Sequence, residues 1–478
     1  MSTTAPTQAM LLAAHGSLKN GQSSDAVFEH ARRIREKGLF HEVRPIFWKE
    51  EPYFHQAADI VGSDLIYVVP FFMSHGYFTR QILPRELGSS PAALSDRLII
   101  TEPVGTHPDM LQILLSQLRK AIPDDGYEES AIALIGHGTP KDEQSSGAMY
   151  HLARQVRQQS RFTNVKCFFL DEEPLIEEIS GAFETDDIHI FPIFIGEGLH
   201  TQIDIPERLG FAYEQPVYGT HLIQDSGGTL NYHPPLGVLP ESTDIIMQRL
   251  MESGVTFESQ GSANPEETRT YFRPAAQFFL DQLNKDISEK SPWGELVILK
   301  DGDYTFEIRH SVNELSASTM LKTYAVDDTW HIAKWSSHSD YRALKSRPDL
   351  QSGWIIRQVS ATELIRALDY FYPASIDNWY RSKHGQLTVT QFKQTASRQS
   401  GFYRKTREIT RDELRILVER CCRANTCLKS NRWFEPERLE NTETERLLCS
   451  EPCAVLMEEA RKMVKQNRSA KLYKEQLQ

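Results

Sequence analysis

The sequence predicts an α/β protein: two tandem lobes with parallel sheets flanked by helices, then an α+β domain and a small helical, cysteine-rich domain. Three observations lead there. Four blocks of the N-terminal half recur at one constant offset, apolar strand-like runs alternate with helix-periodic stretches inside each copy, and five of the six cysteines crowd into residues 421–453. Alternating strand and helix patterns favour parallel strands joined by helical crossovers.

The repeat organises the chain. Leu11–Ser17 matches Ala133–Thr139, Ile46–Pro52 matches Phe168–Pro174, Val69–Thr79 matches Phe191–Thr201 and Leu83–Gly88 matches Ile205–Gly210, each at an offset of 122 residues. Ungapped blocks held in register identify a duplication. Ile132–Ile135 reads as a short strand, and Ile188–Ile195 as another, broken by Pro192 and closed by Gly196 and Gly198. Asp25–Lys37 and Gly147–Gln159 carry helical spacing. Val104-Gly-Thr-His107 and Tyr218-Gly-Thr-His221 suggest one more shared strand end, at the different offset of 114.

Length alone suggests about three domains, and the patterns divide the chain into four: lobe 1 over 1–124, lobe 2 over 125–245, an α+β domain over 246–400 and a helical domain over 401–478. In the third, Leu296–Ile308 alternates around Asp301-Gly-Asp303, a hairpin signal. Trp354–Val359 reads as a strand and Ala361–Tyr370 as a helix, with no nucleophile–base pair, phosphate loop or ligand spacing. Its sequence assigns it no chemistry. Helical spacing returns at Asp412–Arg420 and leads directly into the cysteines.

Apolar content of 40% supports sizeable cores, and no run reaches the roughly 18 apolar residues of a membrane helix. The N-terminus lacks a positive segment and a long apolar core, so a cytoplasmic protein is expected. A net charge of −12 argues against nucleic acid as a partner, since phosphate neutralisation needs a basic face. It leaves room for a local basic pocket that takes an anionic small molecule.

Candidate chemistry gathers at the strand ends, where parallel sheets bind ligands. His15 and His137 each follow a strand between glycines, which let a ligand approach the backbone. A lone histidine there would only satisfy loop groups, but recurrence favours a site. In the second matching loop His200 corresponds to Phe78, and His75 to Glu197. Facing lobes would place His15, His75, His137, Glu197 and His200 around one cleft. Neutral imidazoles with a carboxylate suit cobalt, nickel, iron or zinc, and they also take protons near neutral pH. Inserting a metal ion into a macrocycle demands both abilities, because two ring N–H protons must leave.

These motifs resemble the class II chelatases, the sirohydrochlorin cobalt- and ferrochelatases of the CbiX, SirB and CbiK type. The resemblance rests on His-Gly-[Ser/Thr] after a first strand, Glu-x-Pro after a second, and Gly198-Leu-His200 with Asp204-Ile-Pro206 after a third. It covers about residues 8–245. It implies that His137 and His200 bind a divalent metal substrate, Co²⁺ or Fe²⁺, and accept pyrrole protons, with Glu172 at the loosely matched acidic position. The partner it implies is an anionic tetrapyrrole. Lobe 1 departs from the pattern at Phe78, so one working cleft is expected. Arg80, Lys141, Arg154 and Arg157 follow the motif loops and are candidates for its carboxylates.

Cys422-Arg-Ala-Asn-Thr-Cys427 and Cys449-Ser-Glu-Pro-Cys453 form two pairs separated by a loop. Four thiolates so spaced enclose either zinc or a 4Fe–4S cluster, and Pro452 beside a terminal ligand favours the cluster. Cys421 and Cys422 compete for one place, and Cys422 is favoured. The tail resembles the iron–sulfur domain of long chelatase-like proteins that join two CbiX lobes to a stabilising domain. An electron-transfer partner would accompany a redox role for the cluster. The competing readings are an iron–sulfur oxidoreductase using the old cleft, and a non-catalytic sensor or carrier of metal or tetrapyrrole.

Overall fold

The computed structural model describes residues 6–88, 97–123, 126–138, 143–211, 217–222, 228–255, 273–285, 290–302, 305–342, 345, 347–387, 390–399, 401–423, 427–428 and 452–476. The chain separates into two compact units, residues 1–49, 63–89 and 94–265 forming one, and 50–62, 90–93 and 266–478 the other.

The first unit holds the duplication. Lobe 1 contains strands β1 (Gln8–Ala14), β2 (Glu42–Phe47), β3 (Leu65–Pro70) and β4 (Leu98–Ile100), all parallel, in the order β2-β1-β3-β4. Lobe 2 contains β5 (Ser130–Gly136), β6 (Val165–Phe169), β7 (Asp187–Pro192), β8 (Gly219–Leu222) and β9 (Thr229–Tyr232), in the order β6-β5-β7-β9-β8. β1 and β5 start 122 residues apart, as do β3 and β7. The central strands β1 and β5 are almost wholly buried, which is why they read as unbroken apolar runs without alternation. Helices Asp25–Glu36 and Glu143–Gln159 follow them. Glu51–Pro52 and Glu173–Pro174 are both cis, a backbone detail repeated at the same offset. The expected α/β lobes are thus present.

One expected equivalence fails. Tyr218–His221 is not the counterpart of Val104–His107. It enters β8, an added edge strand antiparallel to β9. The true partner of Gly105 is Gly237: a Cβ at Gly105 would lie 2.3 Å from Met73 Cα, and one at Gly237 would lie 1.9 Å from the Ile195 carbonyl oxygen. Met73 and Ile195 stand 122 apart, so the same close backbone crossing occurs in both lobes. The extra strand broke the constant offset and hid the match.

After those crossings the lobes exchange helices. Met110–Ala121 of lobe 1 packs on Glu143–Gln159 of lobe 2, while Ser242–Glu252 of lobe 2 packs on Asp25–Glu36 of lobe 1. Arg249 donates to the Pro103 carbonyl at 3.3 Å and to Thr106 Oγ1 at 2.8 Å. Helix Ser242–Glu252 runs past residue 245, where lobe 2 was expected to end. Buried His30 bridges the lobes, with Nδ1 2.8 Å from Thr243 Oγ1 and Nε2 2.8 Å from the Gly237 carbonyl. Burial pushes its imidazole down to about 4. Below an unfolded value near 6.5 the unfolded chain takes up a proton that the folded one refuses, so stability is full above about pH 6.5 and falls towards pH 4. Between pH 7 and 5 the loss should be about 2 kcal/mol. Denaturation of wild type and His30→Asn at both pH values checks this, and the variant should lose that part of the pH dependence.

In the second unit, β10 (Lys290–Trp293), β11 (Leu296–Lys300), β12 (Phe306–His310), β13 (Lys322–Thr323) and β14 (Trp354–Val359) form a sheet in the order β10-β11-β12-β14-β13. β11 and β12 pair antiparallel across the expected hairpin, although Asp303 of its turn lies outside the described residues. Helices Pro274–Lys285, Ala361–Phe371 and Ser375–Lys383 share an apolar core with this sheet. Buried Arg273 spans that core, donating to Asp377 at 2.5 Å and to both Asp369 oxygens at 2.8 and 3.1 Å. Arg273→Met would strand two buried carboxylates and should cost about 3–5 kcal/mol. A lower denaturant midpoint of the transition reported by the second unit's tryptophans checks this. The cysteine-rich region has its own core, built from Phe392, Ala396, helix Arg411–Val418 and the long helix Ala454–Gln476. That core begins before residue 401.

Candidate functional site

β5 ends at Gly136, and the chain turns through Gly138 at φ 69°. A Cβ at Gly138 would sit 2.8 Å from Phe169 Cβ and 2.9 Å from Glu172 Cβ, so only glycine lets the loop close this tightly. The turn leaves His137 at the sheet's carboxyl edge, half exposed. Its Nδ1 is 2.9 Å from the Gly138 carbonyl and 3.5 Å from Asp171 Oδ2. A carbonyl can only accept, so Nδ1 carries the proton and Nε2 presents its lone pair.

The loop after β7 brings His200 to the same place. Thr201 Oγ1 accepts from the Gly198 N–H at 3.0 Å, and a wide turn then carries the Ile205 N–H back to the His200 carbonyl. One turn on, Asp204 Oδ2 takes a 2.6 Å bond from His200 Nδ1. A carboxylate on Nδ1 orients the ring and raises the donor strength of Nε2. The His137 and His200 rings lie 4.9 Å apart at 85°. The structure therefore joins the two histidines expected to act together. Asp171 and Asp204 had been assigned no role, yet the four-residue spacing of His200 and Asp204 on one helical turn was a legible signal.

Lobe 1 repeats the frame with different chemistry. His15 Nδ1 is 2.8 Å from the Gly16 carbonyl, and Gly16 has φ 63°. Its ring meets Phe78 at 5.0 Å and 85°, the His137–His200 geometry with phenyl in place of imidazole. Burial lowers the His15 imidazole pKa, and nearby Lys49 lowers it further.

The remaining candidates have partners of their own. His75 Nε2 lies 2.5 Å from Glu102 Oε2. Glu197 is half-buried and held by the Tyr218 hydroxyl, which also accepts from Gln202 Nε2 at 2.9 Å. Burial raises the carboxyl of Glu197 and the phenol of Tyr218. Glu172 packs beneath Gly138. Among the described residues, no three His, Cys, Asp or Glu side chains lie close enough to hold one metal ion. Of the candidate cations, Arg80 and Arg154 are exposed, Arg157 donates to the Val165 carbonyl at 2.6 Å, and Lys141 lies outside the described residues.

In the second unit Cys421, Cys427 and Cys453 line one cavity of about 420 Å³, fringed by Arg347 and Arg420. Cys422 instead points into the helical core, 6% exposed. Burial and the neighbouring Cys453 push the Cys421 thiol up to about 11. Cys449 lies outside the described residues.

Duplicated parallel α/β lobes with an imidazole pair at one sheet's carboxyl edge define a chelatase-type architecture. Residues 9–121 and 131–253 match CbiX, residues 277–383 match the DR2241 stabilising domain, and residues 384–462 match a 4Fe-4S iron-sulfur cluster binding domain. The chain belongs to the CbiX family. It is 34% identical over 283 residues to a probable sirohydrochlorin cobaltochelatase of Halobacterium salinarum, covering 55% of this chain and 97% of the relative. It is 28% identical over 138 residues to a sirohydrochlorin cobaltochelatase of Methanopyrus kandleri, covering 26% and 96%. Its fold is similar to that of DR2241 from Deinococcus radiodurans, a multi-domain protein with structural similarity to chelatases and two additional domains. That match has a TM-score of 0.76 at 23% identity and covers 97% of this chain and 100% of that one. Among the described residues, no helix is long and apolar enough to cross a membrane.

Proposed function

We propose that this protein inserts a divalent metal ion, cobalt or ferrous iron, into a sirohydrochlorin-like tetrapyrrole. The observation that carries the reading is the His137–His200 pair, each ring with Nδ1 engaged and Nε2 presented. Family membership and the cobaltochelatase relatives support the substrate class.

The two Nε2 lone pairs hold the incoming ion and replace part of its water shell. As the ion passes to the ring nitrogens, those lone pairs become free and each accepts one pyrrole proton. Two protons leave the ring and two imidazoles receive them. Asp204 and the Gly138 carbonyl keep each Nδ1–H oriented throughout. Asp204→Ala should slow insertion about 10–100-fold by loosening His200, the usual effect of removing a carboxylate behind a ligating histidine. Purified chain mixed with sirohydrochlorin and Co²⁺ should shift the visible bands faster than the metal-only control. Equal rates would overturn the reading.

The tail's donor set fits an iron–sulfur cluster. Three thiols surround a cavity without converging on a single ion's position, which suits a 4Fe–4S group better than zinc, whose sulfurs lie about 2.3 Å from one centre. Cys421, Cys427 and Cys453 would hold it, with Cys449 as the fourth ligand. Cys421, which lines the cavity, is preferred in this reading to the Cys422 favoured from sequence, whose side chain is 6% exposed in the core. When bound, such a group supplies one-electron transfer to or from a partner. The division into two lobes, a stabilising domain and a cluster domain is the organisation this reading assigns to the chain.

A further inference from the structure

The duplicated site keeps His15 and Glu50 opposite His137 and Glu172 but changes around them. At the 122-residue offset Phe78 stands where lobe 2 has His200, Lys49 where it has Asp171, and Ile82 where it has Asp204. Trp48 and Tyr77 replace Leu170 and Leu199. The metal-binding imidazole and both carboxylates that flank the pair have gone, and a cation and three aromatic rings have come in. These rings form one assembly: Phe78 stacks on Phe72 at 6.2 Å and 11°, meets Tyr77 at 6.0 Å, and lies 6.5 Å from Trp48. The Lys49 ammonium sits 5.0 Å from the Trp48 ring centroid. Tyr77 is 49% exposed, and Leu18 beyond His15 is 38% exposed, so the assembly opens to solvent. The scaffold beneath is unchanged, since Gly76 N–H bonds Thr79 Oγ1 at 3.0 Å as Gly198 N–H bonds Thr201 Oγ1.

We propose that lobe 1 has become the ring-binding half of the site, with Phe78 stacking on a flat, polycarboxylate macrocycle, Tyr77 and Trp48, inclined to Phe78 at 73° and 60°, packing against the macrocycle's edge, and Lys49 pairing with one of its carboxylates. Lobe 2 alone handles the metal. The inference rests on the chelatase reading and deepens it. A phenyl ring offers no lone pair to Co²⁺ or Fe²⁺, and an ammonium beside His15 repels the ion. A phenyl ring stacks on a conjugated face, and an ammonium pairs with the carboxylates at the ring's edge.

The test uses the full chain with its cluster and two probes, metal-free sirohydrochlorin followed by its absorption and Co²⁺ alone followed by equilibrium dialysis. Phe78→Leu and Lys49→Met, which keep an apolar side chain of similar length in place, should each weaken ring binding about three- to fivefold while Co²⁺ binding outside the cluster stays at one ion per chain. Phe78→His should raise that count to two by restoring a pair with His15. Unchanged ring affinity in both variants would overturn the proposal, as would a wild-type count of two that falls to one in His15→Ala. If wild type fails to accelerate insertion but ring binding still depends on Phe78 and Lys49, the chelatase reading falls and the ring-binding half stands. If insertion is fast and the variants bind the ring as wild type does, the proposal falls alone.

Discussion

His137→Ala/His200→Ala should reduce Co²⁺ insertion by at least about a thousandfold while sirohydrochlorin binding stays within a few-fold of wild type. The size follows from losing two functions at once. Positioned proton acceptance contributes about 10²–10⁴-fold, and the ion also loses both presented nitrogens. The rings lie 4.9 Å apart, so they act as a unit and the single variants should each approach the double variant in effect. Folding should survive, since both side chains are about half exposed and neither contributes to the buried core. Stopped-flow absorption with excess metal measures the rate, and equilibrium titration measures ring affinity. A double variant with wild-type insertion rates would remove the two imidazoles from the mechanism.

The second large effect concerns the tail. Cys421→Ala should purify anaerobically without its 4Fe–4S absorption and with iron content near zero, whereas Cys422→Ala should retain four irons per chain. The distinction is positional. Cys421 faces the cavity shared with Cys427 and Cys453, and Cys422 packs among Leu417, Val418, Leu456 and Ala460. Removing the Cys422 sulfur deletes only a small buried group, so a stability loss of about 1 kcal/mol is expected in place of cluster loss. Iron analysis with absorption near 400 nm separates the two outcomes. Cluster loss in Cys422→Ala with retention in Cys421→Ala would reverse the assignment.

Much of the fold was legible because the duplication kept its register. His15 and His137, Pro52 and Pro174, and Phe78 and His200 mark equivalent backbone positions with no structure in hand. The failure at Tyr218–His221 is as instructive. Identical short words at the wrong offset mimicked homology, and only the crossings of Gly105 over Met73 and Gly237 over Ile195 showed which segments correspond. Side-chain direction in the two matching loops was equally illegible. His75 and Glu197 occupy matching loop positions, but side-chain direction is a property of packing. One turns to Glu102 and the other to Tyr218.

By itself the sequence determined that two parallel α/β lobes arose from one, that imidazoles end their strands, and that a thiol-rich helical domain closes the chain. Those features are local: periodicity, spacing and residue chemistry carry them. Tertiary structure alone decided that Asp171 lies beside His137, that Cys421 faces the cavity in place of Cys422, and that Trp48, Lys49 and Phe78 gather into one cluster next to His15. Each depends on which way a side chain points once distant segments have packed, and no one-dimensional pattern encodes that direction.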